Sequence, residues 1–138
     1  MRSNQIKYKA GYRYQVVEDY HHGIRLPVKG LVQCGPFLEC DRSGLLVKTG
    51  YASDGPTNAP HVKGAMRATI GVHDPLYQLI RKGVLPMSFR LTADEEMLAV
   101  SMEDDMNPVL ASIFFLGVRA FGEKYAEKES INPVIISP

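Results

Sequence analysis

MRATIGVHDPLYQLIR, residues 66–81, carries its apolar side chains at helical period. Met66, Ile70, His73 and Tyr77 stand at i, i+4, i+7 and i+11, so one face of a helix holds all four. Val72, Leu76, Leu79 and Ile80 widen the apolar side. Pro75 interrupts the pattern. It has no backbone donor and crowds the preceding turn, which predicts a kink or a division just after Asp74. Gly83 is a stop signal, and Arg81 and Lys82 fall in the last turn, where cations suit the helix dipole.

Downstream the chain stays helical. Val84 to Phe89 reads as a loop around Pro86, and Thr92 with Glu95 three residues later forms a capping-box signature. The second helix is expected to run to about Glu103, antiparallel to the first, with Met97, Leu98, Val100 and Met102 as its apolar residues. Met97, Met102 and Met106 read as adaptable core filler. Asn107-Pro108 opens a third helix with proline at the favoured first position, reaching Phe121 or a little beyond. Phe114, Phe115, Leu116 and Val118 are read as core; were this helix exposed, it would meet a membrane or a partner. Residues 127–138 read as an extended tail.

Upstream of Pro60 the pattern changes to short strands with turn punctuation. Gln15 to Val17, Ile24 to Val28, Leu31 to Cys34, Phe37 to Cys40 and Leu45 to Lys48 carry β-branched, aromatic or alternating apolar residues. Asp41-Arg42-Ser43-Gly44 is a hairpin turn, and His21-His22 before Gly23 reads as a solvated loop. The expected fold is therefore α+β: a β-hairpin or small-sheet region over 1–59, three helices over 60–126 with the first two an antiparallel pair, and the tail, in one domain over 1–138.

Composition bounds the function. The formal net charge of +1 lacks the basic excess of a nucleic-acid binder, so no nucleic-acid partner is expected. The acidic residues Glu95, Glu96, Glu103, Asp104 and Asp105 are balanced by Lys82, Arg90, Arg119, Lys124 and Lys128, and read as solvated helix surface. Cys34 and Cys40 are expected to be free thiols, and no C-x-x-C or H-x-x-x-H spacing suggests zinc. The N-terminal residues lack the apolar core of a signal peptide, and no apolar run reaches the roughly 18 residues of a spanning helix. Synthesis into the cytoplasm, with any action at the envelope needing separate delivery, is the expectation.

The residues that could carry chemistry are Asp54, His73, Asp74 and Asp94. His73 and Asp74 are adjacent on a helix and point about 100° apart. With antiparallel helices, Asp94 in the first turn of the second helix can face His73, hold one ring nitrogen and leave the other as a base. The turn-rich loop 53–60 offers the Asp54 carboxylate and backbone carbonyls, the oxygen ligands that calcium takes, so calcium is the cofactor to expect if there is one. Beside this stands a structural reading in which Asp54 and Asp74 cap turns and His73–Asp94 is a buried polar pair. Arg90 is expected to pair with an acid of the helix that follows it, with a phosphate or carboxylate contact as the alternative, and His61 is a candidate auxiliary ligand.

The motifs SDGPTNAP, HDPLY and RLTADEEM, followed by GVRAFG, occur in an order that resembles a phage and prophage protein family known as domain of unknown function 1353. The resemblance covers about Phe37 to Gly122. More distantly, the same order is similar to prokaryotic phospholipase A2: a D-G loop, an HD-x-x-Y helix and an aspartate on the next helix. That resemblance implies His73 as the general base, Asp94 orienting it, Tyr77 supporting the hydrogen-bond network, and Asp74 with Asp54 and Gly55 binding calcium. The function expected is a phage-associated, calcium-assisted lipid-ester hydrolase. A non-catalytic virion or lysis-associated protein, and a hydrolase of another envelope polymer such as peptidoglycan, remain as alternatives. Partners on these readings are membrane lipid or phage virion and lysis proteins, and the oligomeric state is open.

Overall fold

The computed structural model describes residues 5–9, 14–53, 55 and 62–127. Asp54, His61, the loop prolines Pro56 and Pro60, and the expected tail from 128 onward lie outside the described residues. The fold is α+β, with antiparallel strands in the N-terminal half followed by helices. β1 (Tyr8–Lys9), β2 (Tyr14–Val16) and β7 (Ala52–Ser53) form one sheet in the order β1-β2-β7. β3 (Tyr20–Gly23), β4 (Val32–Cys34), β5 (Leu38–Asp41) and β6 (Gly44–Val47) form a second in the order β3-β6-β5-β4.

The β5–β6 hairpin closes where the turn residues require it. Asp41 pairs with Gly44, and the Asp41 carboxylate accepts from the Ser43 and Gly44 amides at 2.9 and 3.1 Å. Two strand expectations are corrected. Ile24 to Val28 is not a strand: β3 ends at Gly23, and Pro27, which lacks a donor, sits in a turn closed from Val28 N–H to Leu26 O. His22 is not in a solvated loop. In β3 alternate residues face inward, so Tyr20 and His22 are buried while His21 is exposed. His22 Nε2 lies 3.0 Å from Glu96 Oε1, and the Tyr20 hydroxyl lies 3.2 Å from His22 Nδ1. Cys34 and Cys40 are buried free thiols.

The helical stretch around the His-Asp pair does not break at Pro75. A π-helix, Arg67–His73, passes directly into α1 (Asp74–Arg81). The Asp74 amide reaches five residues back to Thr69 O. Pro75 then falls in the first turn of α1, where a missing donor costs nothing. α2 (Arg90–Glu103) follows a 3-10 turn, Met87–Phe89, that begins earlier than Thr92 would allow, so the capping box is not used and Thr92 is an interior residue. α2 ends on a Schellman-type cap, with Asp105 at φ 69 and the Asp105 and Met106 amides bonded to Met102 O and Ser101 O. α3 (Pro108–Phe121) is capped by Asn107, whose side chain accepts from the Val109 and Leu110 amides. A short α4 (Glu123–Ala126), not expected from the sequence, closes the described chain.

The core joins both halves: Tyr20, Leu38, Leu45 and Val47 from the sheet meet Ile70, Val72, Leu76 and Leu79 from the π/α1 helix and Val100 from α2. The reading of α3 as core holds on one face only: Ala111 is buried and Phe114 and Val118 pack partly buried against the core, whereas Leu116 is exposed. Beside the apolar core, Arg67 is buried and reaches Asp104 through two bonds of 2.8 and 2.9 Å, Glu103 at 2.8 Å, and the Tyr20 hydroxyl at 3.3 Å. Arg67 thus ties the start of the π-helix to the end of α2. Both acids are partly exposed, at 37% for Glu103 and 26% for Asp104, so water compensates in part for a lost guanidinium. Replacing Arg67 by Met is expected to cost about 1.5–3 kcal/mol, read as a lower urea midpoint at unchanged slope.

Candidate active site

Asp94 organises the site. It is on the first half of α2, and its side chain has 0% exposure to solvent. Three donors meet it: His73 Nε2 at 2.8 Å and the Tyr77 hydroxyl at 2.6 Å on Oδ1, and Arg119 Nη1 at 2.9 Å on Oδ2. Burial alone would raise the Asp94 pKa, but the three donors outweigh it and hold the carboxyl below its ordinary range. Asp94 is therefore an acceptor, which makes His73 Nε2 the protonated nitrogen and leaves Nδ1 with the lone pair of the neutral ring. The Tyr77 ring lies against the imidazole with centroids 4.1 Å apart. Burial, then the Asp94 charge, push the Tyr77 phenol upward, so it stays a donor.

Arg90 is not paired with an acid of its own helix. Its Nε donates to the Tyr77 hydroxyl at 3.0 Å, and its Nη2 donates to Val118 O and Arg119 O at 2.5 and 2.8 Å. It adds a donor to carbonyls in the last turn of α3, where Val118 O also accepts the Gly122 amide at 2.8 Å. Gly122 permits this close approach: a β-carbon there would stand 2.8 Å from the Tyr77 hydroxyl and 3.3 Å from Arg90 Nη2, and closer still to Val118 O.

On the other side of His73, Nδ1 is 3.9 Å from Asp74 Oδ1, too far for a hydrogen bond but close enough for charge to act. Burial disfavours the imidazolium, yet Asp74 and Asp94 on its two sides prevail and raise the His73 pKa above its ordinary value. Asp74 is one-third exposed and accepts a short hydrogen bond from the Ser53 hydroxyl on β7. The same hydroxyl accepts the Gly55 amide at 3.0 Å, and Gly55 adopts φ +72 against the Tyr14 ring. His73, Asp74, Ser53 and Gly55 all line a half-open cleft of about 880 Å³, whose other wall includes Met97, Phe114, Val118 and Phe121.

The structure thus brings His73, Asp94 and Tyr77 into contact, sets Asp74 beside them, and places Gly55 one residue-length away through Ser53; Asp54 lies outside the described residues. Sequence reasoning gave no role at the site to Ser53, Arg119 or Gly122. The GVRAFG motif was the one signal for the last two. Among the described residues no three His, Cys, Asp or Glu side chains cluster as a metal site. The oxygens offered at the cleft, from Asp74 and Ser53, are of the kind a hard cation takes. Comparison of the chain with family models, curated proteins and solved structures found no match.

The pH dependence follows from these contacts. The folded state binds the His73 proton more tightly than the unfolded chain, so His73 contributes stability that is complete below about pH 6.5 and is lost as pH rises through the folded pKa. Asp94 contributes stability above about pH 3.9 that is lost as pH falls. The stability gap between wild type and His73→Gln, measured by urea denaturation, is expected to narrow as pH is raised from about 6.5. A gap that stays flat would contradict the arrangement around His73.

Proposed function

We propose that the cleft is a hydrolase site of the phospholipase A2 kind, acting on the ester bond of a lipid, with His73 as general base. The observation that carries this reading is the His73–Asp94 pair: the ring is oriented through Nε2, its Nδ1 lies 3.9 Å from the Asp74 carboxylate, and His73 and Asp74 are among the residues that line a largely apolar cleft. In the reaction, His73 Nδ1 takes a proton from water as the water oxygen bonds to the ester carbonyl carbon. The carbonyl π electrons move onto its oxygen. They return as the carbon–oxygen bond to the leaving alcohol breaks, and the proton held on His73 passes to that alcohol. The products are a fatty acid and an alcohol. Asp94 keeps the ring in register, while Tyr77 and Arg119 keep Asp94 ionised.

Asp74 would hold calcium together with Asp54 and loop oxygens around Gly55, since calcium takes six to eight oxygen ligands and the described residues offer only part of that number. Bound there, calcium supplies positive charge for the developing oxyanion. Association with a phage rests on the order of the SDGPTNAP, HDPLY and RLTADEEM motifs.

A second reading, a non-catalytic virion or lysis-associated protein on the same scaffold, is favoured by one observation. Two carboxylates flank His73 and strengthen its hold on a proton, which works against its role as a base near neutral pH. Fatty-acid release from phospholipid vesicles separates the two. Calcium-dependent release is expected from wild type, reduced about 100- to 10,000-fold in His73→Ala. A folded wild-type sample that releases nothing with calcium present sinks the hydrolase reading.

A further inference from the structure

The Tyr51 hydroxyl is a buried donor that the fold leaves unused. Tyr51 is 5% exposed. Its amide donates to Lys48 O at 3.0 Å, and its carbonyl accepts the Val16 amide at 2.9 Å. The phenol, by contrast, makes no hydrogen bond to any of the described residues. Among those residues the other buried tyrosines, Tyr20 and Tyr77, both have their hydroxyls bonded, to His22 and to Asp94. Native folds pair nearly all of their buried polar groups, so an exception calls for a partner from outside the fold.

The strand sets where this donor lies. Tyr51 and Ser53 are buried and Ala52 between them is exposed, the alternation of extended chain, so both turn to the side on which Ser53 bonds Asp74. Tyr51 and Ser53 line the same cleft as His73 and Asp74. The charged groups that act on the phenol, Asp74 and Arg81, are cleft residues as well. Burial first, then the Asp74 charge, keep the phenol protonated far above its ordinary range, while Arg81 works in the opposite sense. The cleft that holds His73 therefore also holds an O–H group whose hydrogen is uncommitted.

We propose that Tyr51 is a further catalytic residue, whose hydroxyl donates a hydrogen bond to the ester carbonyl oxygen as negative charge builds there. This role rests on the hydrolase reading. The carbonyl π electrons move onto the oxygen as water adds, and the Tyr51 proton stays on Tyr51 throughout. It stabilises the oxyanion until the carbonyl re-forms and the alcohol leaves. A donor with no partner in the protein has no bond to give up when the oxyanion forms, and a fixed donor shielded from water needs no reorganisation at that moment. The Asp74 carboxylate by itself opposes negative charge nearby. Arg81 offsets it: among the described residues Arg81 pairs with no acid, and its Nη1 bonds only the Tyr125 carbonyl, at 2.9 Å.

Tyr51→Phe removes the hydroxyl and keeps the ring, and two measurements on the full chain test the role. Urea denaturation is expected to give a midpoint equal to or above that of wild type, because no bond within the fold is lost. Hydrolysis of a monomeric short-chain phospholipid with calcium present is expected to show kcat lowered about 100- to 1,000-fold. KM should change little, the sign of a bond made only in the transition state. A lowered midpoint means that the hydroxyl is bonded within the fold, and it overturns the role. A loss confined to KM overturns it too, as does a kcat that the variant leaves intact; in both cases the active wild type leaves the hydrolase reading standing. A wild type that releases no fatty acid refutes the hydrolase reading and the role of Tyr51 with it.

Discussion

A carboxylate shut away from water must be surrounded by donors or it will not stay ionised, and Asp94 is such a carboxylate. Its partners come from three different helices: His73 from the end of the π segment, Tyr77 from α1 and Arg119 from α3. Arg90 closes the circuit by bonding Tyr77 on one side and the carbonyls of residues 118 and 119 on the other. Each bond is charge-assisted or feeds one that is, so loss of any partner leaves a buried charge undersatisfied. The helical half of the molecule is built around keeping this one charge in place. A catalytic histidine and a structural polar pair would both need this arrangement, and the bonding pattern is common to the two.

The two aspartates flanking His73 are fitted to different tasks. Asp94 has both oxygens committed to protein donors and no access to solvent. Asp74 is partly exposed, lines the cleft and, among the described residues, accepts a hydrogen bond from the Ser53 hydroxyl. The first can orient and the second can exchange its partners. Ser53, at the end of β7, links Asp74 to the sheet and to the Gly55 amide.

Local signals were read correctly where the physics is local. The period of residues 66–81, the Asn107-Pro108 start of α3, the Asp41 to Gly44 turn and the facing of His73 and Asp94 across antiparallel helices all depend on spacing and nearby chemistry. The misses depend on tertiary choices. Two arginines compete for the acids near α2, and which one reaches Asp94 is settled by the approach of α3, not by either arginine's neighbours. His22 resembled a loop residue because two adjacent histidines are polar, but strand alternation buried one against Glu96 and Tyr20. α3 is apolar all round, and only its place at the edge of the packing shows which face, with Ala111, Phe114 and Val118, meets the core and which, with Leu116, does not. Ser53 opens the SDGPTNAP motif, but its bond to Asp74 depends on where the pairing of β7 with β2 sets it.

The π segment makes the length of the chain itself a determinant of the site. Arg67 and His73 stand at its two ends, and both are fastened to α2, one near its C-terminus and the other in its first half. The wider turn sets how many residues span the two fastenings. Removing one residue between them would rotate one fastening away from the other about the helix axis. Insertions and deletions that a surface turn such as 41–44 can absorb are thus excluded from residues 67–73, however conservative the side chains that remain.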